Sequence, residues 1–415
     1  MISMGTNGQL ATPVAPVTSI KVVGVGGAGL AILERLAQED AVLADCVAMH
    51  TDAQALLASS AAQKVQLGRE AATGLGAGGD PSVGQASARE SGSEIAGACS
   101  GAQLVIVCAG LGGGTGSGAA PVIAQEAKKS GALVVAVVTL PFAGEGGKRG
   151  EQARAALARL GRHCVAVLCF ENDRMAELAP AEAPVAETFR AAGDVLAGAV
   201  RSVARMVGLP AIMPVGLDEL MQAFRGADAR CQFGHGASSG SDRVREAVEQ
   251  ALRSPMLDGG RMLSEQGNVL VHITGDAALS LAEVQSVLRQ LSRYIEDGSQ
   301  ILLGVAADPA GSGELGVAIM ASTRATGYAD YEEEEAEEEE APAEAANAVE
   351  GEGEKPAKSG GKRAKGSKKT EAGQTQEELP LDQAMRGRFK DLDPTMVDGQ
   401  DLDVPTFIRM RIRLK

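Results

Sequence analysis

Apolar runs alternate with amphipathic patterns along the first half of the chain. The runs include IKVVGVG, LVIVCAG, ALVVAVVTLPF and CVAVLCF, and stretches with helical spacing such as AGLAILERLAQ and EQARAALARLGR separate them. Continuous apolar strands separated by helices are typical of a parallel sheet that is covered on both faces. The pattern therefore predicts a doubly wound α/β domain at residues 20–184.

A long helix is predicted next, at residues 185–209. Leu196, Val200, Val203 and Val207 recur there at helical spacing. Such a stripe is typical of an amphipathic helix that packs one face against a core. We expect one long central helix between two domains.

Residues 210–325 predict a second, smaller domain. Two helical patterns, EAVEQALRSP and LAEVQSVLRQLSRYI, alternate with the strand-like runs NVLVHITG, SQILLGVAAD and ELGVAIMAST. Two strand-like runs follow one another without a helix between them, which favours a mixed sheet. We expect an α/β domain with a mixed sheet.

The two ends of the chain differ from the rest. Residues 1–19 and 326–398 are poor in apolar side chains, and the second stretch is first acidic (EEEEAEEEE) and then basic (KPAKSGGKRAKGSKK). Such segments bury too little surface to offset their ordering entropy, so we expect both to be disordered. Residues 399–415 are apolar again, which predicts a docking peptide on a disordered tether.

Composition excludes several classes of protein. No apolar run reaches the roughly 18 residues of a spanning helix, and the N-terminus does not resemble a signal peptide. The net charge of −15 argues against nucleic acid as a partner. Six scattered cysteines without a CxxC pair predict core thiols in a reducing compartment, and four dispersed histidines give no metal-ligand set.

Three glycine-rich stretches follow predicted strands or precede predicted helices. They are GVGGAG at 24–29, GLGAGGDP at 74–81 and GLGGGTGSG at 110–118. Glycines before a helix N-terminus let backbone N–H groups converge on an anion, and the helix dipole adds to the attraction. Three such loops predict a polyphosphate ligand. None contains the lysine of a GxxxxGK[ST] loop, so binding would depend on amides, hydroxyls and Mg²⁺.

These motifs together resemble the tubulin and FtsZ family. GLGGGTGSG is similar to the family's signature loop, IKVVGVGGAG to its first nucleotide loop, GLGAGGDPSVG to its γ-phosphate loop, and NDR at 172–174 to its base-binding turn. The resemblance runs from Ile20 to about Ser322, and DLDVPTFIR resembles the docking peptide of FtsZ chains. It implies a Rossmann-like GTPase domain at 20–184 and a tubulin/FtsZ-like C-terminal domain at 210–325.

The resemblance also implies which residues bind GTP or GDP. Glu145 and Arg149 match ribose contacts, Asn172 matches the guanine-binding asparagine, and Phe189 matches an aromatic that stacks on the base. The family's phosphate contacts fall on Gly26, Gly27, Gly76, Ala77, Gly78, Gly79, Gly112, Gly113, Gly114, Thr115 and Gly116.

One base contact departs from the family pattern. Where the family has an aspartate for the guanine amino edge, this chain has Gly193, with Asp194 beside it. One residue rotates a helix by about 100°, so Asp194 would reach the base only if the helix shifts locally. Guanine preference is therefore a weaker prediction than nucleotide binding.

The catalytic loop departs as well. In the family an NxDxxD loop enters the next subunit's nucleotide site, and the matching positions here are Pro214, Gly216 and Glu219. Glu219, or Asp218 beside it, would orient water against the γ-phosphate. The two charges also suit a helix N-terminus. The resemblance thus implies slow GTP hydrolysis, completed in trans.

The implied partner is another copy of the chain in a head-to-tail filament, because a loop that completes the next subunit's site defines a heterologous contact. Residues 401–415 would bind a membrane-anchoring division protein. Arg409, Arg411 and Arg413 would also suit direct contact with anionic lipid. The expected place is the cytoplasm, at the division site beneath the inner membrane.

Two other functions stay open at this stage. GVGGAG followed by Asp52 also fits an NAD-dependent oxidoreductase, although that reading leaves GLGGGTGSG unexplained. Gly193, Pro214 and Gly216 also fit a nucleotide-binding filament scaffold with little or no hydrolysis.

Overall fold

The structure is a computed structural model. It describes residues 19–38, 44–180, 182–209, 211–215, 230–265, 268–295, 299–308, 313–322, 396–397 and 400–401. The predictions made for residues 1–18, for the charged linker, for most of the C-terminal peptide and for Asp218 and Glu219 lie outside the described residues.

Helices and strands alternate through most of the chain. The strands are β1 Ile20–Val25, β2 Asp45–His50, β3 Gln63–Gln66, β4 Leu104–Gly110, β5 Leu133–Leu140, β6 Ala166–Glu171, β7 Ala211–Met213, β8 Arg230–Ser239, β9 Asn268–Gly275, β10 Gln300–Ala307, β11 Glu314–Ser322, β12 Met396–Val397 and β13 Gln400–Asp401. The helices are α1 Gly26–Ala37, α2 Ala53–Ala58, α3 Pro81–Glu90, α4 Gly92–Cys99, α5 Gly114–Lys129, α6 Gly147–Gly161, α7 Asn172–Met175, α8 Val185–Gly208, α9 Arg243–Leu252 and α10 Leu281–Leu291, with 3₁₀ turns at Ala143–Glu145, Ala176–Leu178 and Asp258–Glu265.

Eleven strands form one sheet in the order β3-β2-β1-β4-β5-β6-β8-β11-β9-β10-β7. The neighbours from β3 to β8 pair in parallel. Beyond β8 the pairing is mixed, because β11 runs antiparallel to both β8 and β9 whereas β9 and β10 are parallel. The predicted parallel N-terminal part and mixed C-terminal part are confirmed. β12 and β13 form a separate two-stranded ladder.

Helices cover both faces of the parallel part. One face packs on α1 and α8, and the other packs on α4, α5 and α6. Val105, Ile106 and Val107 of β4 alternate between these two cores and are fully buried. Each such side chain contributes about 1.5–3 kcal/mol when it leaves water. Burial on both faces is why the strands appear in the sequence as unbroken apolar runs.

The long central helix is confirmed as α8, which has 24 residues. Leu196, Val200, Val203 and Met206 form its buried stripe. Its first turn lies at the surface, where Phe189 is 57% exposed. The helix therefore has a buried C-terminal half and an exposed start.

The C-terminal part joins the same sheet. β8 pairs with β6 through Val167 and Arg230 and through Leu168 and Cys231, and α9 and α10 cover one face of the strands beyond it. The backbones of β8 and α9 lie close together, because a side chain at Gly236 would collide with the α9 backbone. A single sheet thus runs through both predicted domains.

The cysteines are core residues, as predicted. All six are free; five are buried and Cys46 is half-buried. Burial raises the pKa of Cys99 to about 11 and that of Cys164 to about 12, which keeps both thiols protonated. Among the helices that the structure describes, none has the length and apolar character that a membrane crossing requires.

Candidate nucleotide-binding site

The three glycine loops meet at the carboxyl edge of the parallel strands. β1 and β4 are neighbours, and the helices that follow them, α1 and α5, cover opposite faces of the sheet. This arrangement opens a crevice at the switch point of the strand order, which is where doubly wound proteins bind ligands. A Cβ built on Gly26 would lie 3.4 Å from the Gly116 nitrogen, and one on Gly114 would lie 2.8 Å from the Ala77 Cβ.

The N-terminus of α5 has no side-chain cap. Its N-cap residue is Gly113, so the first N–H groups, those of Gly114, Thr115 and Gly116, have no cap side chain to which they could donate a hydrogen bond. Gly116 must be a glycine because a Cβ there would collide with the Gly110 carbonyl oxygen. Uncapped amides together with the helix dipole are an arrangement that can bind an anion.

Gly112 shapes the loop itself. Its φ of +98° suits glycine, and its N–H donates a hydrogen bond to the Ser117 Oγ at 2.7 Å. The predicted amide donor at Gly112 is therefore engaged inside the loop in this structure. The hydrogen bond ties the strand end to the first turn of α5.

A buried hydroxyl pair joins the loop to the end of β2. The Oγ1 atoms of Thr51 and Thr115 lie 2.6 Å apart, and both residues are buried. Thr115 was predicted from the sequence, and Thr51 was not. The available signal was that Thr51 begins the TDAQAL segment directly after a strand.

The second glycine loop is attached to both neighbouring elements. The Ala53 N–H donates to the Gly74 carbonyl oxygen at 3.0 Å, and Asp80 caps α3 through the Ser82 N–H at 2.8 Å. Hydrogen bonding to Ser82 also lowers the pKa of Asp80. Leu75 at the loop tip is 86% exposed. The loop thus lies fixed at its base with an apolar tip in solvent.

Asp52 is the N-cap of α2. Its Oδ1 accepts the N–H groups of Gln54 at 2.8 Å and Ala55 at 3.1 Å, and these two bonds lower its pKa. The carboxylate that suggested a ribose contact of NAD therefore has a local structural role.

The residues predicted at the ribose form an ion pair. Arg149 on α6 pairs with Glu145, whose other carboxylate oxygen accepts the Phe142 N–H at 2.8 Å. The Ala143 N–H donates to the Asp173 Oδ2 at 2.8 Å, which ties this loop to the end of β6. A cleft of about 310 Å³ lies beside the loop, between α6 and the ends of β5 and β6. The loop therefore borders open space on that side.

Two aromatic rings meet near the start of α8, and one of them belongs to the predicted base contact Phe189. Phe189 meets Phe142 edge to face, with ring centroids 6.4 Å apart and an interplanar angle of 87°. Asn172 is the first residue of α7, directly after β6, and is half-buried. Phe142 was not singled out from the sequence, although it lies three residues before Glu145 in the same loop.

Asp194 points to α1. Its carboxylate forms an ion pair with Arg35, near the C-terminal end of α1. A Cβ on Gly193 would lie 3.3 Å from the Arg35 Cγ, so the arginine stem passes over that glycine. The expectation that Asp194 serves the base thus meets a competing partner that the sequence did not indicate.

The predicted catalytic loop follows the edge strand β7. Pro214 is exposed just after this strand, and Asp218 and Glu219 lie outside the described residues. In the part of the chain that the structure describes, no group of three histidine, cysteine or carboxylate side chains is arranged to hold a metal ion.

A parallel sheet whose switch point is lined by glycine loops, without a lysine-bearing phosphate loop, defines a doubly wound nucleotide-binding protein. Comparison with known families gives the particular class. The chain belongs to the tubulin/FtsZ family: residues 19–180 match the Tubulin/FtsZ family, GTPase domain, and residues 230–324 match the FtsZ family, C-terminal domain. It is a GTP hydrolase of that family, and the NAD-dependent alternative is wrong.

Similar proteins agree with this assignment. Cell division protein FtsZ 1 of Pyrococcus furiosus is 39% identical over 290 residues, which cover 70% of this chain and 77% of that protein. The protein of the same name from Thermococcus kodakarensis is 38% identical over 320 residues, covering 76% and 83%.

Solved structures share the fold. An empty FtsZ dimer of M. jannaschii is 35% identical with a TM-score of 0.65, covering 74% of this chain and 88% of that one. CetZ2 from Haloferax volcanii, solved as a GTPγS-bound protofilament, is 24% identical with a TM-score of 0.60, covering 75% and 95%. At that identity the second likeness concerns the fold alone.

Proposed function

We propose that this chain is a cell-division GTPase that polymerises head to tail into filaments, and that these filaments form the cytokinetic ring. The similar proteins named above are cell division proteins, and one similar structure is a dimer of such a protein. The observation that carries the proposal is the convergence of three glycine loops on the uncapped N-terminus of α5. GTP binds there through amides, with Glu145, Arg149, Asn172 and Phe189 around the sugar and base.

Completion of the active site by a second subunit is supported by the strand order. β4, which leads into the phosphate loop, lies seven strand positions from β7, which leads into the catalytic loop. At about 4.8 Å per strand, that separation is roughly 34 Å. A side chain after β7 therefore serves the phosphate site of the next chain more readily than its own.

Slow turnover is proposed because two polar positions of the catalytic loop are lost. Pro214 has no amide side chain, and Gly216 has no carboxylate. Glu219 keeps a negative charge one methylene further out, and Asp218 lies beside it. One of these two carboxylates orients the attacking water.

The described residues of the site provide no set of three side-chain ligands for Mg²⁺. This ion keeps several waters and uses phosphate oxygens with one or two carboxylates, so it needs no preformed cage. We propose that the nucleotide's own phosphates hold it. When bound, Mg²⁺ would neutralise charge on the phosphates.

Assembly and hydrolysis are tested together. We expect GTP, and not GDP, to drive the chain into the pellet on centrifugation, and phosphate release per chain to rise with protein concentration because the site needs two subunits. Glu219→Ala should lower release at least tenfold, whereas Glu249→Ala, which changes a half-buried glutamate on α9, should not. Release per chain that is independent of concentration would contradict completion in trans.

The tail is proposed to connect the filament to the membrane. Residues 401–415 would bind a membrane-anchoring division protein, with direct contact to anionic lipid through Arg409, Arg411 and Arg413 as the second route. This placement puts the ring in the cytoplasm beneath the inner membrane.

A further inference from the structure

Arg35 lies beside the place where a nucleotide base would stack. Gly193 is one helical turn along α8 from Phe189, and a Cβ on Gly193 would lie 3.3 Å from the Arg35 Cγ and 3.7 Å from its Cδ. The arginine stem therefore occupies the space that a side chain at position 193 would fill. That space is next to the exposed ring of Phe189.

The head group of Arg35 holds the nearest carboxylate. Its guanidinium forms an ion pair with Asp194, and its Nη1 donates to the Gln38 Oε1 at 2.8 Å. The Nε–H is shielded from solvent and has no hydrogen-bond partner among the residues that the structure describes. A guanidinium has donors only, so Arg35 offers no acceptor itself, and it holds one carboxylate oxygen of Asp194.

Three carboxylates near the ends of β5 and β6 also have partners. They are Glu145, bound to Arg149; Glu171, 2.9 Å from Arg174; and Asp173, which accepts the Ala143 N–H. An amino group on a base would have to compete with an existing ion pair or hydrogen bond at each of them.

We propose that Arg35 is a specificity-determining residue that removes discrimination at the 2-position of the purine. The chain would bind a purine triphosphate without an exocyclic 2-amino group as well as it binds GTP. This inference rests on the proposed position of the base at Phe189. A carboxylate that accepts from such an amino group is expected to favour GTP about tenfold or more, and that preference is absent here.

The test compares GTP with inosine triphosphate, which lacks only the 2-amino group. Dissociation constants are measured on the full chain by competition against a fluorescent, non-hydrolysable GTP analogue. We expect the two constants to agree within threefold. A larger preference for GTP would overturn the inference and leave the GTPase assignment intact. Failure of both nucleotides to bind would instead overturn the nucleotide site, and this inference with it.

A paired substitution tests the role of Arg35. Gly193→Asp combined with Arg35→Ala places a carboxylate on α8 and removes the stem that would crowd it. We expect this variant to prefer GTP over inosine triphosphate by about tenfold. Arg245→Ala is the matched control, because it removes an ion pair with Glu249 on α9 and should leave the ratio unchanged. A paired variant with the ratio of the unmodified chain would overturn the assignment. Thermal unfolding of each variant verifies that it is folded.

Discussion

At the scale of single residues, a substitution at Gly113 is expected to change GTP affinity without changing the stability of the fold. It has an ordinary φ of −98°, and a Cβ there would meet nothing within 4 Å. Gly113→Ala should therefore fold normally but place a methyl group at the uncapped helix N-terminus. We expect GTP affinity to fall at least tenfold, measured by nucleotide binding, with the unfolding midpoint nearly unchanged.

A matched control exists for that substitution. Gly92 begins α4 and also has nothing within 4 Å of a built Cβ. Gly92→Ala should change neither affinity nor stability appreciably. Equal GTP affinity of the two variants would contradict phosphate binding at α5.

Several residues of the site were predictable and others were not. The glycines and Thr115 lie in three local motifs, and local motifs are visible in a sequence. Thr51, Phe142 and Arg35 act through contacts with residues far away in the chain, at 64, 47 and 159 positions' separation respectively. No spacing rule indicates such contacts, so these three residues required the structure.

At the scale of elements, α5 contains a proline and depends on α6 for a hydrogen bond. Pro121 has no N–H to offer the Ser117 carbonyl oxygen, and the Arg159 Nη2 donates to that oxygen at 3.4 Å from α6. Arg159→Met should lower the unfolding free energy by about 1–3 kcal/mol, because a buried carbonyl loses a donor. Chemical denaturation measures this change.

A second substitution isolates that bond. Pro121→Ala restores a helical N–H to the Ser117 carbonyl, so Arg159→Met should be less destabilising in the Pro121→Ala background. We expect a coupling energy of about 0.5–2 kcal/mol between the two positions. Purely additive effects would show that Arg159 stabilises the protein through its other contacts alone.

Elements with strong periodicity were predicted well. The apolar runs of β1, β4, β5 and β6 and the stripe of α8 are confirmed, because burial on a fixed face leaves a repeating pattern. No repeating pattern in the sequence indicates that the strands of the two halves join into one sheet. A strand pair between distant segments depends on tertiary packing, which periodicity does not encode.

At the scale of the whole molecule, buried histidines make stability depend on pH. Desolvation lowers the pKa of His272 to about 4, and desolvation with Arg201 and Arg205 lowers that of His235 to about 4. The unfolded chain, with histidine pKa values near 6.5, binds more protons below that pH than the folded chain does. Stability is therefore full above about pH 6.5 and falls as the pH drops toward 4.

The size of this effect is measurable. Each such histidine should lower the unfolding free energy by about 1.2 kcal/mol between pH 6 and 5. His272→Leu should make the dependence shallower by about that amount in urea unfolding at several pH values. The pKa of Glu283 is lowered to about 2, so its stabilising contribution is present in this window and is lost mainly at lower pH. An unchanged slope would contradict burial of a neutral His272.

The β6–β8 pairing limits how the chain can be divided. If the chain were cut after α8, Val167 and Leu168 would lie on a strand whose outer row of N–H and C=O groups is unpaired. An apolar strand with a free edge is a template for unwanted pairing with other chains. An excised GTPase half would therefore be prone to aggregate through this edge. In the intact protein, the half that carries no nucleotide loop covers the edge and prevents such pairing.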